Sequence, residues 1–295
     1  MATPVREDLV LDLPRRRVEL SRRVLVMGIV NRTPDSFYDR GATFDLDAAR
    51  GRALALVEHG ADIVDVGGVK GGPGEDVTSE QEIERVVPVI AAIRSASDVL
   101  ISADTFRADV ADAALAAGAD LVNDVTGGHE PRILDVVAAH DAGYVVMHHG
   151  GEPRTRPFRV TYEPDVTTVV IEHLRTLTAA AMAAGVGRDR LMVDPGHDFQ
   201  KNTYHSLELC RRLDEVAALG FPVLVALSNK DFIGETLEAP IDARTNGSVA
   251  AAVSCVLNGA RIVRVHDVRA TVDAVRMTEA ILGWRPPAVA VRGLE

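Results

Sequence analysis

Side chains that could hold a small polar ligand recur at the ends of short apolar runs along the chain. Three of these runs end in groups whose acceptors and amides suit a flat heterocycle bearing N–H groups: Asp104, Asn123 and Asp194. Others end in groups suited to phosphate, through charge-assisted hydrogen bonds and helix dipoles: Lys230, Arg264 and His266. The sequence therefore predicts a site for a ligand with one heterocyclic end and one phosphate end.

Helix capping is the alternative explanation for each such residue, because Asp and Asn often cap the helix that follows a strand. It applies best to three residues: Asp124, Asp267 and His149. Polar groups end nearly all of the apolar runs, however, which capping alone does not require. A shared small-molecule site is therefore favoured.

The runs that carry these groups predict an α/β protein. Each is a β-branched apolar strand followed by an Ala-rich amphipathic segment and a Gly-containing turn, which is typical of parallel βα units. Eight strands are predicted: Val24–Val30, Ile63–Gly68, Val99–Thr105, Leu121–Thr126, Tyr144–His149, Leu191–Gly196, Val223–Ser228 and Arg261–Asp267. Eight such units favour a closed (β/α)8 TIM barrel, with a doubly wound open sheet as the alternative. In a TIM barrel the strand ends meet at the mouth where active sites lie.

The remaining segments complete the predicted architecture. Alternating residues in Leu9–Leu20 predict an N-terminal β-hairpin at the barrel bottom, within an extension over 1–23, and one domain over 1–295. Helix starts are predicted at Asp47, at Ser79 with Glu82, and at Asp242. The segment Gly150–Pro164, with three arginines, is predicted to be a long loop over the mouth.

Composition excludes several function classes. The net charge is −11 and basic residues are scattered, so nucleic acid is not an expected partner. No apolar signal core and no run long enough for a membrane span occur, so a cytoplasmic protein is expected. The two cysteines, Cys210 and Cys255, lack neighbouring His or Cys at metal-ligand spacing and are interpreted as reduced packing thiols.

Ordered motifs from about Val24 to Pro286 resemble the dihydropteroate synthase family. The segment from Met27 to Phe37, reading MGIVNRTPDSF, is similar to that family's first signature. Further motifs follow in family order: Asp65-Val66-Gly67-Gly68, Ile101-Ser102-Ala103-Asp104-Thr105, Asn123-Asp124-Val125, Asp194-Pro195-Gly196, Ser228-Asn229-Lys230 and Arg264-Val265-His266-Asp267. The family joins 6-hydroxymethyl-7,8-dihydropterin diphosphate to p-aminobenzoate in folate synthesis, releasing pyrophosphate, with magnesium at the diphosphate.

The resemblance implies a role for each matching residue. Pterin would be held by Asp104, Asn123, Asp194 and Lys230. The diphosphate would be held by Asn31, Arg264 and His266, with Asn31 also binding Mg²⁺. The second-substrate side would comprise Thr33, Pro34, Phe199 and Ser228. Asp35, Lys230 and Arg264 would act catalytically, Asp35 by facing the cation formed as diphosphate leaves and Arg264 by stabilising the departing anion. The family also commonly forms homodimers through its late helices.

The sequence departs from the family mainly in the second signature. There the family continues Glu-Ser-Thr-Arg-Pro-Gly, whereas this chain reads Val69-Lys70-Gly71-Gly72-Pro73-Gly74. The family's Thr and Arg help hold the diphosphate and shape the p-aminobenzoate pocket. Losing such a charged hydrogen bond typically costs ~1.5–3 kcal/mol, roughly ten- to hundredfold in binding or rate.

Smaller departures lie near the same side. They are Arg32 in the first loop, Asn229 and Asp231 beside Lys230, and lost glycines in His197-Asp198-Phe199-Gln200-Lys201. One hypothesis is that Arg32 or Lys70 replaces the missing cation; simple solvation of either side chain is the alternative.

Four functions remain open. The first is a divergent member that binds pterin diphosphate, or an aryl amine or sulfa-like ligand, with weak or absent synthase activity, which the altered loop favours. The others are a fully active synthase with compensated loops, transfer of the pterin to a different aryl amine, and a pterin-using methyltransferase barrel. The last is disfavoured because such barrels lack the Thr33-Pro34-Asp35-Ser36-Phe37 loop and the Arg264-Val265-His266 end.

Overall fold

The computed structural model describes residues 9–32, 45–74, 76–155 and 161–292. Its ten strands are β1 Val10–Leu13, β2 Arg16–Glu19, β3 Leu25–Asn31, β4 Ile63–Gly67, β5 Leu100–Asp104, β6 Leu121–Asp124, β7 Gly143–Met147, β8 Leu191–Asp194, β9 Val223–Ala226 and β10 Ala260–Val265. Strands β3 to β10 are parallel and close into a barrel, since β10 pairs with both β9 and β3. The predicted TIM barrel is confirmed, and the open sheet is excluded.

Helices alternate with these strands in the described part of the chain. They are α1 Leu46–Glu58, α2 Ser79–Arg94, α3 Ala108–Ala116, α4 Arg132–Ala139, α5 Val166–Ala183, α6 Thr203–Arg211, α7 Leu213–Ala217, α8 Asp231–Leu237, α9 Thr245–Leu257 and α10 Val268–Ile281. None of the described helices is long and apolar enough to cross a membrane.

Side chains along each barrel strand alternate between two hydrophobic cores, one inside the barrel and one between the strands and the surrounding helices. In β3, Leu25 and Met27 point into the barrel, whereas Val26 and Val30 pack beneath the surrounding helices. The predicted hairpin forms from β1 and β2, which pair antiparallel from Val10 opposite Glu19. Its Leu11, Leu13 and Val18 join the interior core, so the hairpin closes the bottom of the barrel.

Three predicted helix starts are wrong by a few residues. The cap of α1 is Asp45 rather than Asp47, and α2 is capped by Thr78 with Gln81 rather than by Ser79 with Glu82. Asp242 lies in a short 3₁₀ turn instead of capping a helix. For α1 and α2 the sequence offers more than one nearby capping residue, and the backbone is extended at the one that caps, Asp45 or Thr78.

Candidate functional site

The strand ends bring most of the predicted pterin and phosphate residues to one mouth of the barrel. Asp104 ends β5, Asn123 is the next-to-last residue of β6, and Asp194 ends β8. Arg264 lies near the end of β10, which closes the ring against β3. Several predicted strands end up to two residues earlier than expected, so His148, His149, Ser228 and His266 stand just beyond their strands.

Arg264 forms the centre of a charge network at this mouth. Its Nε donates to Asp65 Oδ2 at 2.6 Å, and its Nη2 donates to Asp104 Oδ2 at 2.6 Å. Asn123 Nδ2 also approaches Asp65 Oδ2, at 3.4 Å. Asp65 is fully buried, and its Oδ1 has no hydrogen-bond partner among the described residues. One guanidinium thus balances two carboxylates.

Asp65 is the member of this network that sequence reasoning missed as a site residue. Its signal was present, because a carboxylate inside the buried apolar strand β4 requires a partner. Burial raises the pKa of Asp104 to about 8, against the opposing charge of Arg264 and with a further contribution from Asp65. Asp104 can therefore carry a proton near neutral pH, which relieves the excess negative charge.

Lys230 and Asp194 lie together on the opposite side of the mouth. The Asp194 Oδ1 accepts a hydrogen bond from Gly196 N at 2.7 Å, which orients the carboxylate. Lys230 Nζ donates to the His197 carbonyl and lies 4.8 Å from the centre of the Phe199 ring. Burial lowers the pKa of Lys230, while the charges of Asp198 and Asp194 oppose this shift. The result is a carboxylate and an ammonium beside one aromatic face.

Ser228 and His266 form a second pair, between β9 and β10. The His266 Nδ1 and Ser228 Oγ are 3.0 Å apart, and Ser228 Oγ also accepts from His266 N at 3.3 Å. The His266 carbonyl accepts from Arg52 at 2.8 Å. Ser228, predicted for the second-substrate side, therefore contacts a residue predicted for the diphosphate.

Asn31 lies at the end of β3 and close to Asp104. A Cβ placed on Gly67 would lie 3.5 Å from Asn31 Oδ1 and 3.6 Å from Asp104 Oδ2, so these two oxygens flank the same glycine. Amide and carboxylate oxygens are the ligands that Mg²⁺ prefers. The predicted first-loop residues Thr33, Pro34 and Asp35 lie outside the described residues.

The three residues best explained by capping have structural partners. Asp267 accepts from Ala270 N and caps α10. Asp124 accepts from Thr126, Gly128 and the Tyr144 hydroxyl, which fixes the loop after β6. His149 contacts the Gly151 carbonyl through Nδ1 at 2.8 Å. In the predicted long loop, the described residues adopt neither helix nor strand, and two of its arginines lie outside them.

The altered second loop reaches the aromatic side of the mouth. A Cβ on Gly71 would meet Phe199 Cζ and Val125 Cγ2 at 3.7 Å, which is ordinary contact, and a Cβ on Gly72 would meet nothing within 4 Å. Neither glycine is among those with a positive φ. The loop backbone could therefore carry side chains at both positions, although both residues are glycine.

The Arg32 side chain lies against helix α2 and donates hydrogen bonds to its backbone. Its Nη1 donates to the carbonyls of Glu84 and Arg85, at 3.0 and 2.9 Å. Pro88 lies inside α2 and has no N–H to offer the carbonyl four residues earlier, which is that of Glu84. Arg32 therefore supplies a donor that the helix lacks, an explanation distinct from replacing the loop cation.

Asp198, in the segment where the sequence loses glycines, caps a neighbouring helix. Its φ is +64°, and its Oδ2 accepts from the backbone N–H groups of Asp231 and Phe232 at 2.7 and 3.3 Å. Lys230 precedes α8 and provides no side-chain cap itself. The departures at Asp198 and Asp231 are thus linked, since Asp198 anchors the helix that follows Lys230.

Replacing Asp198 separates the cap from the backbone strain. We expect Asp198→Gly to lower the free energy of unfolding by ~0.5–2 kcal/mol, because the cap is lost. Asp198→Ala should cost ~1 kcal/mol more than glycine, since alanine must also adopt positive φ. Urea denaturation of both variants measures this difference, with Asp198→Asn as the control that keeps an acceptor. Equal losses in the Ala and Gly variants would contradict the assignment.

Comparisons with known proteins show the family to which the chain belongs. Residues 27–266 match the family described as Pterin binding enzyme. The chain is 53% identical over 277 residues to "Inactive dihydropteroate synthase 2" of Mycobacterium leprae, covering 92% of this chain and 95% of that protein. It is 40% identical over 256 residues to the dihydropteroate synthase of Haemophilus influenzae, covering 86% and 93%.

The fold is also similar to those of solved dihydropteroate synthase structures. The dihydropteroate synthase of Yersinia pestis, in a complex with a sulfonamide drug, superposes with a TM-score of 0.89 at 36% identity, over 93% of this chain and all of that one. The enzyme of Xanthomonas albilineans in complex with 7,8-dihydropteroate has a TM-score of 0.82 at 40% identity, covering 95% and 100%.

Proposed function

We propose a function from one premise: the chain belongs to the dihydropteroate synthase family of pterin-binding enzymes. In this proposal it binds the pterin diphosphate of that family and joins it to p-aminobenzoate weakly or not at all. The observation that carries the proposal is the loop Val69–Gly72. It places glycine beside Phe199, where the family has a hydroxyl and a guanidinium, while the strand-end groups remain.

The pterin half follows from the hydrogen-bonding groups at the mouth. Asp194 and Asp104 would accept from the N–H groups of the heterocycle, and Asn123 can both donate and accept. Lys230 would donate to a ring acceptor above Phe199. Because Asp104 has a pKa of about 8, it can also donate as the neutral acid. These groups supply both donors and acceptors, as recognition of a pterin requires.

The diphosphate half uses the cationic side of the mouth. Arg264 and His266 would bind the phosphate oxygens, and Arg264 would stabilise the charge that develops as diphosphate leaves. The Asn31 amide oxygen is a hard ligand at the end of β3, so Asn31 would hold Mg²⁺. When bound, the ion would neutralise part of the leaving-group charge. Asp35, in the first loop, is proposed to face the cation left on the pterin.

The second-substrate half is where the proposal departs from the active members. Thr33, Pro34, Phe199 and Ser228 would line this side. The family's Thr and Arg are replaced by Gly71 and Gly72, so the aryl amine would be poorly held and the leaving group less stabilised. The relatives from Mycobacterium, at 52–53% identity, are named as inactive, which supports the same reading.

A second candidate function is transfer of the pterin to a different aryl amine. The open space at Gly72, with no atom within 4 Å of a Cβ there, favours it because a bulkier amine could enter. This candidate predicts turnover that appears only with substituted amines. It shares the pterin half with the main proposal and differs only in the second substrate.

The test measures binding and turnover separately. Calorimetry with pterin diphosphate and Mg²⁺ should show saturable binding, which Asp194→Ala should weaken by about tenfold or more. Initial rates with p-aminobenzoate should stay well below a kcat of ~1 s⁻¹. A kcat at or above that value would overturn the proposed loss of activity, and absence of binding would overturn the pterin site. A panel of substituted aryl amines tests the second candidate.

The proposal also covers assembly and location. The chain would act as one domain in the cytoplasm and would pair as a homodimer through its late helices. Exposed apolar side chains on that side, Leu257, Met277 and Ile281, support this surface. Light scattering of the purified protein measures the dimer.

A further inference from the structure

A buried cluster of three soft ligand groups lies beside the mouth, outside the proposed pterin site. It comprises His197 after β8, Cys210 in α6 and Cys255 in α9. One ligand atom from each residue lies within 4.8 Å of the others. His197 and Cys255 are fully buried, and Cys210 is 8% exposed. Three separate elements therefore place an imidazole and two thiols together in the protein interior.

The buried nitrogens of the His197 ring, Nδ1 and Nε2, lack hydrogen-bond partners of ordinary geometry among the described residues. A neutral imidazole carries one donor and one acceptor, and buried polar groups are normally satisfied. Its nearest ring neighbour is Phe232, stacked at 6.1 Å, which offers no hydrogen bond through its side chain. Among the described residues, the ring thus interacts with the Cys210 thiol but has no hydrogen bond of ordinary geometry at either nitrogen.

The cluster offers two sulfur donors and one nitrogen donor to a single metal ion. Thiolate and imidazole are the ligands that Zn²⁺ prefers. Two thiolates would cancel the charge of one Zn²⁺, so the filled cluster would be neutral and could remain buried.

We propose that His197, Cys210 and Cys255 bind one Zn²⁺ ion. Bonds of about 2.0–2.3 Å would set the three ligand atoms roughly 3.5–4 Å apart, which small side-chain rotations achieve from the present spacing. Water on the Cys210 side, where the cluster is slightly exposed, would complete the coordination. The His197 carbonyl accepts from Lys230, so the ion would also fix the segment that holds that lysine.

Spectroscopy with Co²⁺ tests the site directly and does not depend on the proposed function. Protein stripped with a chelator and shown to hold both thiols reduced should bind one Co²⁺ per chain. We expect a thiolate-to-cobalt charge-transfer band and the visible d–d bands of low coordination, both lost when Zn²⁺ is added. Zn²⁺ should also protect the two thiols of the unaltered protein from alkylation.

Variants define the ligands. Cys255→Ala, Cys210→Ala and His197→Phe should each lower the affinity by more than about a hundredfold, beyond the usual effect of changing only a neighbour of a ligand. His173→Phe, at a histidine outside the cluster, should leave binding unchanged. The proposal fails if the reduced, folded protein shows no charge-transfer band and no protection by Zn²⁺. It also fails if the band persists in Cys255→Ala, or if the native protein contains a Cys210–Cys255 disulfide.

Discussion

A Gly71→Thr/Gly72→Arg double variant should gain roughly ten- to hundredfold in affinity for the pterin diphosphate and in kcat/KM with p-aminobenzoate. The gain corresponds to restoring one charged hydrogen bond, ~1.5–3 kcal/mol. The backbone permits it, because neither glycine has a positive φ and a Cβ would fit at both positions without a clash. Calorimetry and initial rates, compared with the unaltered chain, measure the two effects.

The matched control is Gly71→Ala/Gly72→Ala. Alanine stiffens the loop as much as any added Cβ does, but supplies neither hydroxyl nor guanidinium. If the alanine variant gains as much as the Thr/Arg variant, loop ordering rather than side-chain chemistry limits the protein. If neither gains, the altered loop is not the cause of weak activity and the proposed function must place the defect elsewhere.

The barrel could be predicted from sequence because its signal is local. The barrel strands are largely apolar runs, which parallel strands buried on both faces require. Strand ends were predicted too late at several positions, including β6, after which Val125 and Thr126 form a turn, and β8, after which Gly196 has a positive φ. The caps of α1 and α2 were displaced because more than one nearby residue can cap, and only the backbone selects one.

The candidate site was predictable in its members and not in its connections. Asp104 and Arg264 could be placed at one mouth by topology, but the ion pairs of Arg264 with Asp65 and Asp104 depend on distances across the barrel. The cap from Asp198 to α8 depends on a positive φ at a residue that rarely adopts one. The cluster of His197, Cys210 and Cys255 could not be found from the spacing of Cys and His in the sequence, because its residues come from three separate segments.

The charge network gives the largest expected effect on stability. Arg264→Met would leave Asp65 and Asp104 without their shared cation, in a region where Asp65 has no exposed surface. Removing one partner of a buried ion pair typically costs ~3–5 kcal/mol. We expect a loss of this size in the free energy of unfolding at alkaline pH, measured by urea denaturation.

The free energy of unfolding lost in Arg264→Met should depend on pH, and the titration of Asp104 determines whether the loss grows or shrinks as the pH rises. The folded pKa of Asp104, about 8, lies above the value of ~3.9 usual for an unfolded chain. The proton that folding retains therefore stabilises the protein fully below the unfolded pKa, and this contribution is lost as the pH rises through about 8. Without Arg264, which opposes the shift, the pKa should rise further. The variant should thus go on losing stability at pH values above about 8, where the Asp104 contribution of the unaltered chain is already lost.

Adding Asp104→Asn to Arg264→Met separates charge from packing. The double variant should recover much of the lost stability at high pH and little at low pH, because it removes the carboxylate that the proton otherwise neutralises. An equal cost of Arg264→Met at both ends of the pH range would show that lost packing, not uncompensated charge, is responsible. Asp65 and Asp104 would also compete with a bound diphosphate for the Arg264 guanidinium. Protonation of Asp104 would weaken its hold on Arg264 and so favour binding of the diphosphate.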